Sequence, residues 1–178
     1  MPADNFVDPS EDPRQVDSAP ARGERAVDES YLRHYRQTFE LKLQGLDAEQ
    51  LARRSVPPSS MSLLGLLRHL AKVEHAWNVI FLQGRPEPRL YGCDDVRDAD
   101  FDGAVPDDDV VTEAWAAWRR EVAAAEQHLA TISYDDVVDV RGDPTEVRDI
   151  VVHLIEEYAR HCGHADLLRE CIDGRAGQ

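Results

Sequence analysis

The chain carries a dense group of metal-ligating side chain types in the stretch EEYARHCGHADLLRE, residues 156–170. Glu157 stands four residues before His161, and His164 three after it. Imidazole nitrogens and carboxylate oxygens suit divalent transition metals, and three protein ligands with one open position make a reactive centre. On a helix turning about 100° per residue, Ile150, Glu157, His161, His164 and Leu168 fall within an arc of roughly 60°. Polar groups and core leucines therefore share one strip, with His153 at its polar edge and Glu156 and Arg160 turned away. A second histidine faces inward from SVPPSSMSLLGLLRHLAKVEHAWNVIFLQG, where His69 shares a helical line with Ser62, Leu66, Val73, Ala76 and Ile80. His75 lies with Arg68 and Lys72 on what reads as the wet face. A carboxylate facing a core is costly unless it is paired or metal-bound. Glu157 thus either pairs with His161 or a nearby arginine, or joins His69 and His161 around a metal. Taken alone, an inward histidine such as His69 also reads as a hydrogen-bonded core residue. Neither H-E-x-x-H nor a Cys/His finger is present to decide.

These residues must be positioned by helices. Tyr31, Tyr35, Phe39 and Leu43 recur every four residues and predict a helix with an aromatic core stripe, ending near Gly45. After Pro57 and Pro58, a serine at 60–62 can cap a second, apolar helix that stops at Gly84-Arg85-Pro86. An acidic connection spans 85–106, and a third helix covers about 107–131, opened by three aspartates that suit a helix N-terminus. The last helix runs from about 145 to 172, with Thr145 or Asp143 near its cap and Gly174 just beyond it. ISYDDVVDVRG, 132–142, is the one ambiguous stretch. Four long amphipathic helices predict an all-α, four-helix-bundle domain over 28–174, with a long acidic loop between helices two and three. Residues 1–27, rich in proline and charge, predict a disordered or loosely packed arm.

Composition narrows the function. Asp and Glu number 35 against 20 Lys and Arg, a net charge of −15, with no basic cluster for nucleic acid or anionic lipid. No apolar run is long enough to span a membrane, and the N-terminus lacks the pattern of a signal peptide. Cys93, Cys162 and Cys171 are an odd number without C-x-x-C, as in a reduced cytoplasmic protein.

Three stretches in combination, SMSLLGLLRHLAKVEHAW, DVRDADFD and VVHLIEEYARHCGHADLLRE, carry a resemblance to the DinB-like superfamily over about residues 28–173. The nearer likeness is to an actinobacterial, functionally unassigned branch related to mycothiol-dependent maleylpyruvate isomerase and mycothiol S-transferases. The resemblance implies a four-helix bundle holding a divalent metal, with one ligand from helix two and two from helix four. Mapped onto this chain, those are His69, Glu157 and His161, with His153 the substitute if the register differs. His164 stands where many members carry glutamine, and it becomes a candidate acid/base, substrate contact or support for a ligand. Zinc suits the set, and nickel and iron also accept N/O donors. The implied activity is a metal-dependent S-transferase joining a small thiol, mycothiol as co-substrate, to an electrophile, or a thiol-dependent isomerase. The alternatives are a non-catalytic small-molecule-binding or stress-resistance bundle, and a bundle recruited to one biosynthetic step.

Three smaller features are weighed against this. Asp98, Asp100, Asp102 and Gly103 open a D-x-D-x-D-G calcium pattern, but Pro106 sits at the ninth place and Asp109, not Glu, at the twelfth. A solvated loop able to cover the site is the better reading. Cys162 differs in helical phase from His161 by about 100° and reads as core. Trp77, Trp115 and Trp118 read as core or as a homodimer interface, a partner arrangement that the chain leaves open.

Overall fold

The leucine run Leu63–Leu64–Gly65–Leu66–Leu67 has no polar face, which is the pattern of a helix packed on several sides. The computed structural model, which describes residues 7–8, 12–15, 20–92 and 98–177, places it so. In chain order the elements are α1 (Glu24–Leu43), α2 (Ala48–Ala52), α3 (Leu63–His75, continued as a π-helix over Ala76–Leu82) and α4 (Ala99–Asp102). They are followed by α5 (Asp108–Leu129), β1 (Val137–Val140), β2 (Asp143–Glu146) and α6 (Val147–Asp173). Helix accounts for 64% of the described residues, and the only sheet among them has two strands, so the class is all-α. No described helix is long and apolar enough to cross a membrane.

Paired contacts give the directions of the long helices. Arg68, His75 and Asn78 of α3 meet Glu113, Glu121 and His128 of α5 in rising order, so these helices run parallel. His69 and Trp77 meet His161 and His153 in falling order, so α3 and α6 are antiparallel. Parallel neighbours cannot be joined by a tight turn. The 83–107 connection has to return along the molecule, and α4 is where it folds onto α3.

The core draws Leu32, Phe39 and Leu43 from α1, the α3 leucines, Ala114, Ala117 and Trp118 from α5, and Ile150, Leu154, Tyr158 and Leu168 from α6. Within it lies a chain of polar groups with one member per long helix. The Arg36 guanidinium donates through Nε and Nη2 to the two oxygens of Glu74, each at 2.8 Å. Tyr158 Oη donates to Glu74 Oε1 at 2.8 Å, and Trp118 Nε1 donates to Tyr158 Oη at 2.8 Å. Arg36 is 4% exposed and Glu74 0%. Burial disfavours the charged guanidinium, but the adjacent Glu74 carboxylate outweighs it and raises Arg36. Burial first, then Glu74, drives the Tyr158 hydroxyl well above its ordinary range, so it stays a donor.

Several caps follow the sequence: Ser62 accepts from Gly65 N, Asp107 from Asp109 N, and Gly174 closes α6 in the left-handed region. α2 was not anticipated; Asp47 and Gln50 form a capping box at its start. The ambiguous stretch forms a hairpin, with Val137 opposite Glu146 and a turn at Arg141 and Gly142, both at positive φ. The hairpin takes Thr145 and Asp143 out of the expected cap, and Glu146 precedes α6 instead. Tyr31 is 57% exposed, not core, because an every-four stripe drifts by about 40° per step.

His75 is a further correction. It is buried, with Nδ1 3.1 Å from Glu121 Oε2 and Nε2 3.2 Å from the Pro88 carbonyl. α5 and the returning connection cover the face that the sequence assigns to solvent. Ahead of α1, Pro13–Gln15 forms a short 3-10 turn, Asp12 is buried, and Arg14 bonds both Asp12 and Thr38. The remainder of the expected arm before residue 20, apart from residues 7–8, and Cys93, lie outside the described residues.

Removing one partner of a buried ion pair leaves the other charged and unpaired, a cost of about 3–5 kcal/mol. Glu74→Ala is therefore expected to lose about that much stability in chemical denaturation. Tyr158→Phe, which leaves the Trp118 N–H without its acceptor, is expected to lose about 1–3 kcal/mol.

Candidate metal centre

α3 and α6 cross with His69 facing His161, their ring centroids 4.8 Å apart. One turn earlier on α6, Glu157 Oε2 lies 3.3 Å from His161 Nε2. The donor atoms of His69, Glu157 and His161 all fall within 4.8 Å of one another. A tetrahedral metal with bonds near 2.1 Å needs donors roughly 3.4 Å apart, so small side-chain rotations suffice to close the set. The group lies at the edge of the core: the side chains of His69, Glu157 and His161 are 23%, 16% and 10% exposed. One side thus remains open to an incoming ligand.

The outer nitrogens of both imidazoles are engaged. His69 Nδ1 lies 2.9 Å from Asp100 Oδ2, and His161 Nδ1 lies 3.3 Å from His164 Nδ1. That leaves Nε2 of each ring for the centre, the arrangement metal-binding histidines commonly adopt. The His161 hydrogen bond, then the charges of the surrounding histidines, hold the Glu157 carboxyl below its ordinary range against the opposing effect of burial. His164 is lowered by burial first and then by the charges of His161 and Arg160. Burial acts to raise Asp100, but the His69 and Lys72 hydrogen bonds outweigh it and the carboxyl is lowered.

The sequence-derived residues thus come together as a group of three. His153 lies outside it, with Nε2 3.5 Å from Glu157 Oε1 and its ring 4.6 Å from the Trp77 ring. His164 stands behind His161. Trp118 is core, and Trp115 packs against it at 5.7 Å.

Asp100 and Lys72 were missed. Asp100 reads as one more acid in a solvated loop, yet it is 1% exposed and takes Lys72 Nζ at 3.1 Å beside His69. The signal available was Phe101, an apolar residue alone among aspartates, which marks a point where the loop must dock. Asp98, Asp100 and Asp102 do not converge as a calcium loop. Asp100 turns inward, and Asp102 points out beside Arg54 at 3.4 Å.

A family model described as mycothiol-S-transferase matches residues 28–174. No curated protein and no solved structure matches the chain.

Cys162, next to His161, is 5% exposed, and burial pushes its thiol up to about 12. At pH 8 its thiolate fraction is roughly a thousandth or less of that of an ordinary thiol. Peptide mapping after brief alkylation is expected to find the exposed Cys171 modified and Cys162 intact. Cys162 should become reactive only once denaturant is added.

Proposed function

This chain belongs to the mycothiol S-transferase family, within the DinB-like superfamily, and we propose that it is a metal-dependent thiol S-transferase using mycothiol. In this reading α1, α3, α5 and α6 form the DinB-like four-helix bundle, and His69, Glu157 and His161 hold a divalent metal, with zinc the best match to the donors. The observation that carries it is the convergence of one imidazole from α3 with a carboxylate and an imidazole from α6 at a partly open site. A metal held there would favour the thiolate, the nucleophilic form, of an incoming thiol.

The chain's own groups supply the rest. Glu157 contributes the one negative charge among the three, which would offset part of the charge of a bound dication at the edge of a low-dielectric core. His164, whose protonated form is disfavoured by burial and by the charges beside it, is the group placed to take the thiol proton, on Nδ1 once its contact with His161 is released. The sulfur then bonds the electrophilic carbon, and the leaving group departs with its electron pair and takes up a proton. With an activated double bond as electrophile there is no leaving group, and the carbanion is protonated instead.

Mass spectrometry of untagged protein is expected to find about one divalent metal per chain, lost in His161→Ala and in Glu157→Ala. Metal-loaded protein should consume mycothiol in step with conjugate formation across a panel of electrophiles. His164→Ala should keep the metal but lower the rate by about 10²–10⁴-fold. A wild type that neither contains nor takes up metal, or that binds small molecules without thiol-dependent turnover, would overturn the transferase reading.

A further inference from the structure

The short helix α4 is built into the side of α3 in a way that its acidic sequence does not announce. Gly65 of α3 leaves the room: a Cβ there would come within 2.6 Å of the Phe101 ring. Gly103 does the same on the other side, where a Cβ would meet Arg68 Nη2 at 2.6 Å. Arg68 then bonds the backbone of α4, Nε to the Asp100 carbonyl at 2.9 Å and Nη2 to that of Ala99 at 3.3 Å. Phe101 lies over the His69 ring with centroids 5.5 Å apart and planes 30° from parallel. Every one of these contacts bears on His69 or on a residue within a turn of it.

We propose that Asp100 is the positioning residue of this centre: carried in by α4, its carboxylate fixes His69 with Nδ1–H outward and Nε2 toward Glu157 and His161. The inference rests on the reading of those three residues as metal ligands. Two observations separate it from a merely structural role. Oδ2 takes both His69 Nδ1 and Lys72 Nζ, whereas Oδ1 is buried with no partner among the described residues. The bonds of this carboxylate therefore run to His69 and Lys72 of α3 through a single oxygen. Lys72 Nζ, at 3.1 Å on the same oxygen, also supplies a charge opposite to that of Asp100. The ring stack of Phe101 prevents the imidazole from turning over.

The test uses full-length protein in two measurements, one of them independent of metal. Long-range ¹⁵N spectra of metal-free wild type should show His69 protonated at Nδ1, and Asp100→Ala should mix the tautomers. Competition with a chromophoric chelator should show the zinc dissociation constant rising about 10–100-fold in Asp100→Ala, the usual effect of losing such a partner. Asp100→Asn, whose amide oxygen can still accept from Nδ1–H, should fall between, and it carries the test if Asp100→Ala does not fold. Asp102→Ala, on the exposed side of α4, should stay within twofold of wild type. The proposal is overturned if the Asp100 variants keep both tautomer and affinity within twofold, or if Asp102→Ala loses as much. If the tautomer follows Asp100 but wild type binds no zinc, Asp100 still positions His69 and it is the metal reading that fails.

Discussion

The buried Arg36–Glu74 pair is the constraint on which the helix arrangement turns. An ion pair in a core is not by itself a source of stability, since desolvation offsets most of its Coulombic gain. What it imposes is geometry: both carboxylate oxygens and the guanidinium fork must be satisfied, and few helix registers do so. Here Tyr158 and Trp118 complete the set, so α1, α3, α5 and α6 each contribute one group to a single hydrogen-bonded chain. Sliding any one helix by a turn breaks it. On α3, Glu74 lies five residues beyond His69, and on α6 Tyr158 is the immediate neighbour of Glu157. The register that satisfies the core pair is therefore the register that brings His69 to Glu157 and His161.

Chain direction explains the remaining architecture. With α3 and α5 parallel, the connection between them must travel back along the molecule, and a chain crossing that distance needs places to attach. Tyr91 supplies one, lying under the Arg68 guanidinium at 3.9 Å and donating to Glu113. α4 supplies another. Both involve Arg68, so one residue of α3 anchors the returning chain at two points and orders the segment that meets His69.

Much of this was legible from helical phase. The inward strip of α6, the burial of Cys162 and the helix ends at Ser62 and Gly174 follow from local sequence and 3.6-residue geometry, because they depend on one helix and one core. The group of three required two helices to be matched, and there the resemblance and the phase argument agreed on the same residues. What phase cannot show is how many sides of a helix are covered. α3 is packed by α2, α4, α5 and α6, so His75 and Lys72, polar and apparently outward, end up against Glu121 and Asp100. Glu74 escaped notice for the same reason, since its partner lies 38 residues away and its burial belongs to the assembled helices. The hairpin escaped because two strands of four residues, one containing proline, carry too little periodicity to declare themselves.

The two imidazoles of the candidate centre are supported in different ways. His69 backs onto a carboxylate that is itself buried and paired with Lys72, under an aromatic ring, so its orientation and proton are fixed. His161 backs onto His164, a partly exposed imidazole whose protonated form is disfavoured by burial and by the charges of His161 and Arg160. In the transferase reading, a site that holds a cation and takes the proton of an incoming thiol is served by a fixed support on one side and a proton acceptor on the other. In that reading, α3 with α4 provides the fixed support. α6 provides the acceptor through the i, i+3 spacing of His161 and His164, the same spacing that first marked EEYARHCGHADLLRE as more than a solvated helix.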